Sequence, residues 1–318
     1  MYLIKGSSPP KHRAQACVAT IGNFDGVHLG HRRIIEKLAE AGQVLGLPVV
    51  VILFEPQPRE YFSSDRSPPR LMSLREKLAR LVELPIDTVL LLRFNHQLAE
   101  LPAESFIQNI LLDQLHVKYL VVGDDFRFGK QRLGDFELLR NFGQRAGFDV
   151  VDTPSVLVNG ERVSSTLVRE ALASDDLGRA EQLLGRPYSI CGRIVHGEKR
   201  GRSLGFPTAN IALRRKNTPV QGVFAVTMTG IGTKPLFGVA NVGNRPTVDG
   251  SRTVLLETFL FDFSGDLYCQ RVEVFFDHKI RDERRFADLV ELRAQIAQDA
   301  EDARGFFYSL HSISLHES

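Results

Sequence analysis

Gly22-Asn23-Phe24-Asp25-Gly26-Val27-His28-Leu29-Gly30-His31 is the stretch on which the fold turns. An apolar, strand-like run from Ala16 to Ile21 precedes it, and a helix-like run from Arg32 to Ala41 follows. A strand, a tight glycine-bearing loop and a helix start together form an anion site. The unpaired N–H groups and the positive end of the helix dipole face whatever lies beyond the strand. Residues three apart on a first helical turn share a side, so His28 and His31 can both donate to one polyphosphate. Gly30 between them leaves room for a phosphate to approach the backbone. Two histidines capping a surface helix is the competing reading, and four residues alone do not separate the two.

Working outward, the first half of the chain alternates strand and helix signals. Strands are expected at Val49 to Phe54, Thr88 to Leu92, Val117 to Gly123 and Asp149 to Asp152, with helices at Ser73 to Glu83, Pro102 to Leu115 and Asp135 to Gly147. Short apolar runs between amphipathic helices imply a parallel sheet covered on both faces, the doubly wound α/β plan. Ligands in such sheets bind beyond the carboxyl ends of the strands, where the His28/His31 loop falls. Three more segments fall there. Phe54-Glu55-Pro56-Gln57-Pro58 ends a strand with two prolines that stop pairing and stiffen the loop. Gly123-Asp124-Asp125-Phe126-Arg127-Phe128-Gly129 gathers carboxylates, an arginine and two aromatics. Ser164-Ser165-Thr166, followed by Arg169, opens a helix with hydroxyls that can cap it or donate to phosphate. Each also has a plain reading as a turn or a cap.

Composition narrows the function classes. At 318 residues the chain is long enough for two domains. Lys+Arg 40 against Asp+Glu 38 gives a net charge of +2, so no global basic field recruits nucleic acid. Cys17, Cys191 and Cys269 are odd in number and far apart, which fits reduced, packing thiols rather than a disulfide framework or a zinc site. Met1 to Ala16 lacks a long apolar core, and no run approaches the about 20 apolar residues that span a bilayer. A cytoplasmic protein without a membrane partner is expected.

After about Gly185 the texture changes. Short segments rich in Val, Ile, Phe and Thr alternate with Gly, Pro and Asn turns at Tyr188 to His196, Gly222 to Thr229, Leu236 to Val242, Val254 to Phe261 and Gln270 to Phe276. This spacing reads as an antiparallel barrel or sandwich. A final helix is expected over Phe286 to Leu310, with Phe286, Leu289, Leu292 and Ile296 at core-facing intervals. The boundary falls between Leu184 and Tyr188, giving domains 1–186 and 187–318. Ser63 to Pro69 reads as a mobile loop.

The second half carries its own blocks. Gly197-Glu198-Lys199-Arg200-Gly201-Arg202 begins a basic, glycine-bearing loop that runs on to Pro207-Thr208-Ala209-Asn210. Its glycines permit close phosphate approach, and its cations attract polyphosphate. Without a Gly-Lys-Ser/Thr ending it is not a Walker loop. Thr208 and Asn210 are two apart, so in an extended segment their oxygens face one side and suit Mg²⁺. Asn241 to Thr247 forms another block, and the strand Leu256 to Phe263 contains Glu257. Desolvation there would raise the glutamate's pKa and suit a base. Alternation by itself puts Glu257 on a solvated strand face.

These blocks resemble a known family. The His-x-Gly-His pattern is similar to the signature of nucleotidylyltransferases. The blocks at 22–31, 54–58, 123–129 and 164–169 together resemble the FMN adenylyltransferase module of bacterial bifunctional riboflavin kinase/FAD synthetases. Pro207 to Asn210, Glu257 and the segment Arg281, Glu283 and Phe286 resemble the riboflavin kinase module, and the likeness runs from about residue 16 to 305. The resemblance implies a nucleotidylyltransferase-like sheet followed by a β-barrel and a terminal helix. It implies that His28 and His31 hold the ATP phosphates and stabilise charge on the transferred phosphorus. Gly22, Asn23, Phe24, Asp25 and Gly30 would shape the ATP loop, and Ser164, Thr166 and Arg169 would close on the triphosphate. Phe62, Asp125 and Phe128 are flavin candidates, with packing an equal alternative for the two rings. In the second half Gly197, Gly201, Arg202 and Pro207 would border ATP. Thr208 and Asn210 would hold Mg²⁺ and nucleotide, Glu257 would be the base, and Arg281, Glu283 and Phe286 would meet flavin. Phe224 stands where the family often has tyrosine. The implied chemistry is riboflavin to FMN, then FMN to FAD with pyrophosphate release, both using ATP and Mg²⁺. A flavin kinase with an inactive adenylylating half and a flavin-responsive regulatory protein are the rivals.

Overall fold

The computed structural model describes residues 1–6, 16–63, 67–123, 125–153, 155–196, 206–213, 215, 217–246 and 252–314. They fall into two compact units, Met1–Pro68 with Leu74–Ser164, and Pro69–Ser73 with Ser165–Ser318.

The first unit is built on six strands: β1 (Tyr2–Lys5), β2 (Cys17–Ile21), β3 (Val49–Glu55), β4 (Thr88–Arg93), β5 (Val117–Val122) and β6 (Asp149–Asp152). All neighbours pair parallel, in the order β1-β4-β3-β2-β5-β6. Every residue of β2 is buried, as a central parallel strand covered on both faces requires. The chain steps from β2 through β3 to β4, then returns to β5 on the other side of β2. That reversal is a topological switch point, and the loops after β2 and β5 diverge around it.

Helix α1 (Leu29–Leu45) starts at His28 and stops at Gly46, whose φ of 65° lies in the left-handed region. After α2 (Pro58–Phe62), α3 (Leu74–Leu81) and α4 (His96–Ala99), α5 (Ala103–Phe106) runs on into a π-helical stretch, Ile107–Gln114. Helix α6 (Phe136–Ala146) is bounded as expected, with the Asp135 side chain accepting from Leu138 N at 2.9 Å and Gly147 at φ 78°. A hairpin of β7 (Leu157–Val158) and β8 (Glu161–Arg162) turns at Asn159-Gly160, φ 52° and 82°. Two successive positive φ angles match the twist of a tight hairpin.

The second unit opens with α7 (Ser165–Ala173) and α8 (Leu177–Leu184). A closed antiparallel barrel follows: β9 (Ser189–Val195), β10 (Thr208–Ala212), β11 (Gly222–Thr229), β12 (Leu236–Pro246), β13 (Arg252–Leu260) and β14 (Arg271–Arg281), in the order β10-β13-β12-β11-β14-β9. Of the two plans open in the sequence, the barrel is the one formed. Phe224, Val226, Met228, Ala240, Val242, Val254, Leu256 and Thr258 alternate along their strands and are fully buried, forming the interior. Helix α9 (Leu289–Ser314) covers part of the outer face, packing Ala300, Ala303 and Phe307 on Val223, Ala225 and Val239. Its buried face therefore lies further along than expected, and Leu289 is 66 % exposed. The two alanines let the helix approach the strands closely, which the larger residues before them do not.

Helix α8 packs on β14, which places the helical pair with the barrel, upstream of the compositional break at Leu184 to Tyr188. Composition misses this because amphipathic helices look alike in either unit. The segment Pro69–Ser73 is held to the second unit by three bonds: Arg169 Nε to the Pro69 carbonyl at 2.7 Å, Arg215 Nη1 to that of Arg70 at 3.3 Å, and Tyr188 Oη to that of Leu71 at 3.1 Å. In the expected mobile loop Ser63 to Pro69, residues 64–66 lie outside the described residues.

Candidate active sites

The loop after β2 is tightly set. Phe24 and Val27 are buried yet hold φ of 46° and 42°, which non-glycine residues adopt only when their surroundings impose it. Gly22 is small because a Cβ there would stand 2.9 Å from the Phe24 ring. His28 is the N-cap of α1, and its Nδ1 accepts from the His31 N–H at 3.3 Å. With Nδ1 accepting, a neutral His28 carries its proton on Nε2, the atom that can donate to an anion. The His28 and His31 rings stack at 3.6 Å, and Phe24 lies against His31 at 4.8 Å. The space a Cβ at Gly30 would need is bordered by the His28 ring at 3.2 Å and the Val163 carbonyl at 3.4 Å, so the glycine also accommodates the histidine.

Burial, reinforced by the electrostatic influence of His28 and Lys77, holds the His31 pKa well below the ordinary histidine value. His31 is thus neutral at pH 7. Its Nδ1 is buried without a partner among the described residues, as are Asn23 Oδ1, Arg32 Nε, Gln57 Nε2 and Thr153 Oγ1. Asn23, Gln57 and Thr153 follow β2, β3 and β6, so these polar atoms gather along the carboxyl edge of the sheet. Asp25 is buried in the same loop.

The other expected residues divide. Phe62 is 65 % exposed and makes edge contacts with Tyr61 at 5.3 Å and Phe94 at 5.7 Å. Phe128 is buried, with Phe126 stacked on it at 5.5 Å and Phe106 at 5.6 Å, and Gly134 makes room for its ring. Packing describes Phe128, whereas Phe62 stands open. Asp125 is exposed and pairs with Arg162 at 3.6 Å. Ser164 ends the first unit, while Thr166 and Arg169 lie on α7 in the second. Besides holding Pro69, Arg169 donates from Nη1 to the Ser165 carbonyl at 3.0 Å.

On the barrel, register does the assembling. Asn210 of β10 and Asn241 of β12 both stand opposite Glu257 of β13. Glu257 is half-buried and alternates with the interior residues Leu256 and Thr258, so it lies on the outer face that alternation indicated. Asn210 is buried, and its Nδ2 donates to the Thr208 carbonyl at 3.3 Å, which presents Oδ1 as the ligating end. Asn241 donates to Glu283 Oε1 at 3.3 Å, and the Glu283 carboxylate occupies the space that a Cβ at Gly243 would need. Arg281 is fixed by Asp299 of α9, and Arg281 and Arg284 both lie over the Phe286 ring, at 5.7 and 4.7 Å. Phe224 is buried in the barrel against Phe276 at 5.2 Å, where a tyrosine hydroxyl would need a partner. Pro207 is exposed just before β10, and Gly197, Gly201, Arg202 and Asp124 lie outside the described residues.

Two residues at these sites, Lys77 and Asp299, are absent from the sequence reading, and a third, Asn241, appears there only as the start of a block without a role. Lys77 of α3 is fully buried and donates from Nζ to the Asn23 carbonyl. Its signal was legible: it occupies the Leu74, Leu78, Leu81 stripe of α3, where an apolar residue is the default. The role of Asn241 and the presence of Asp299 gave no local signal, since each acts through a partner brought from another element.

A doubly wound sheet with paired histidines at its switch point, joined to a barrel with an oxygen-donor row, defines a two-module nucleotide-using transferase. Comparison with known proteins agrees. The FAD synthetase family model matches residues 10–167 and the riboflavin kinase model residues 184–307. The bifunctional riboflavin kinase/FMN adenylyltransferase of Escherichia coli (strain K12) is 53 % identical over 311 residues, covering 96 % of this chain and 98 % of the relative. That of Haemophilus influenzae is 48 % identical over 309 residues, covering 97 % and 100 %. A solved structure named as a macrolide-efflux protein from Streptococcus pneumoniae shares the fold with a TM-score of 0.78 and 29 % identity, covering 96 % of this chain and 99 % of that one. Among the described residues no helix is long and apolar enough to cross a membrane. The chain belongs to the bifunctional riboflavin kinase/FMN adenylyltransferase family, with an FAD synthetase domain and a riboflavin kinase domain.

Proposed function

We propose that the chain carries two reactions, each with its own set of residues. In the first, a phosphate oxygen of FMN attacks the α-phosphorus of ATP, the bond to the bridging oxygen of the β-phosphate breaks, and pyrophosphate leaves. His28 and His31 are fixed donors to the charge that develops, supported by the loop of Gly22, Asn23, Phe24, Asp25 and Gly30. Ser164, Thr166 and Arg169 serve the triphosphate, and Phe62 and Asp125 the flavin, with Phe128 backing the aromatic wall. In the second, Glu257 accepts the proton of the riboflavin 5′-hydroxyl as that oxygen attacks the γ-phosphorus and ADP leaves. Arg281, Glu283 and Phe286 meet the flavin.

Thr208 and Asn210 supply the hard oxygen donors that Mg²⁺ takes, and the orientation of the Asn210 amide fits that ion. When bound, Mg²⁺ neutralises polyphosphate charge. The partners are riboflavin, FMN, ATP and the product FAD. Three free thiols accord with a cytoplasmic site for both reactions. The observation that supports this reading most is the Asn210–Glu257–Asn241 row, which sets a carboxylate between two amides beside the candidate metal ligands. Incubation with riboflavin, ATP and Mg²⁺, followed by chromatography, should yield FMN and then FAD, and a chelator should stop both. FMN alone would mean an inactive first unit, and neither product would refute the proposal.

A further inference from the structure

We infer that Lys77 is a positioning residue for adenylyl transfer: its buried ammonium holds the Asn23 carbonyl and sets a fixed positive charge beside the His28/His31 pair. The inference rests on the reading of that loop as the site of FMN adenylylation.

Lysine is almost never fully buried unless paired, because its ammonium must give up water. Lys77 is 1 % exposed and lies on the apolar stripe of α3, where leucine or methionine would pack without that penalty. Its hydrogen bond reaches the residue at which the chain leaves β2 and enters the strained loop. Phe24 and Val27 keep their left-handed angles only while neighbours impose them, and the bond to Asn23 anchors the loop's first turn. The same residue carries a buried side-chain oxygen without a partner among the described residues, so Lys77 fixes a group at the ligand edge. The charge also reaches the histidines. Lys77 acts with burial and His28 to lower the His31 pKa, while Phe24 contributes an uncharged ring.

The test is Lys77→Met, which continues the apolar stripe and removes the charge. Riboflavin phosphorylation and thermal stability should hold, while kcat/KM for FAD formation from FMN falls about 10- to 100-fold, the range for groups that orient ligands from behind. The limb of the pH profile set by His31 should move to higher pH, because losing a neighbouring cation relieves the depression. Lys77→Gln, which keeps a donor without the charge, should move the limb in the same direction, and it carries the test if the methionine variant unfolds. FAD formation within about twofold of the parent with an unmoved limb would overturn the inference. His28→Ala with His31→Ala runs in parallel. If that pair makes FAD at the parental rate, the reading of the loop fails. If it is inactive while Lys77→Met is unaffected, only the role of Lys77 fails.

Discussion

Asp299→Ala should loosen the barrel at the end of β14 and impair riboflavin phosphorylation. The carboxylate, 4 % exposed on α9, takes two bonds from Arg281, Nε to Oδ1 and Nη2 to Oδ2, each 2.7 Å, and a third from Gln295 Nε2 at 2.8 Å. Such a fork uses both oxygens and fixes the guanidinium plane. Removing the acid strands a cation whose side chain is 21 % exposed. Breaking a buried pair costs about 3–5 kcal/mol. Arg281 keeps some water and a bond from Nη1 to the Asp282 carbonyl at 2.9 Å, which argues for the lower end. About 3 kcal/mol corresponds to a loss of about 100-fold in amide-exchange protection where opening is limited to β14 and α9. Exchange resolved by peptide reads this locally and leaves the first unit as an internal reference. FMN formation should fall with it, while FAD formation from supplied FMN persists. Arg281→Met with Asp299→Leu should restore protection, since apolar replacement of a buried pair is neutral or stabilising, yet leave phosphorylation low. Unchanged exchange in β14 and α9 of Asp299→Ala would refute the reasoning.

Asp277 of β14 accepts from Thr227 Oγ1 at 2.8 Å, and burial, helped by Glu181 and opposed by the Thr227 bonds, raises its carboxyl from 3.8 to about 6. The folded protein therefore keeps a proton that the unfolded chain has lost, and stability falls as pH rises from about 4 to about 6 and is level above. Asp277→Asn should raise Tm relative to the parent above about pH 6, a gain that vanishes below about pH 4; an equal effect at both ends would contradict this. For the proposed boundary, residues 187–318 retain Thr208, Asn210 and Glu257 and should phosphorylate riboflavin. Residues 165–318 should do so with a higher Tm, because α8 covers β14. A folded but inactive 187–318 would count against two autonomous modules.

Much of this was legible because it is local. The strand, loop and helix around His28 declare themselves in ten consecutive residues, and Asp135 and Gly147 mark the ends of α6 by their own side-chain chemistry. The parallel sheet followed from alternation of short apolar runs with helices. What was not legible depends on pairing across long separations. Asn241 joins the site only because register sets it opposite Glu257, and Asp299 only because α9 returns to the end of β14. Strand β1 is four residues long with exposed Tyr2 and Leu3, too short and too weakly patterned to announce itself. Two features were missed despite a local signal: the Asn159-Gly160 hairpin turn, and a lysine on the core stripe of α3. The aromatics Phe62 and Phe128 could not be told apart by type, because burial is decided by Gly134 and Phe106 in one case and open solvent in the other.

The central claim, one chain with two separable ATP-dependent sites, is tested most directly by supplying riboflavin or FMN in turn to two variants and resolving the products. Glu257→Gln, which cannot accept the proton, should make nothing from riboflavin yet convert FMN to FAD. His28→Ala with His31→Ala should convert riboflavin to FMN and stop there, each lost donor slowing adenylylation by about 100-fold or more. Loss of both reactions in either folded variant, or retention of both, would contradict the account.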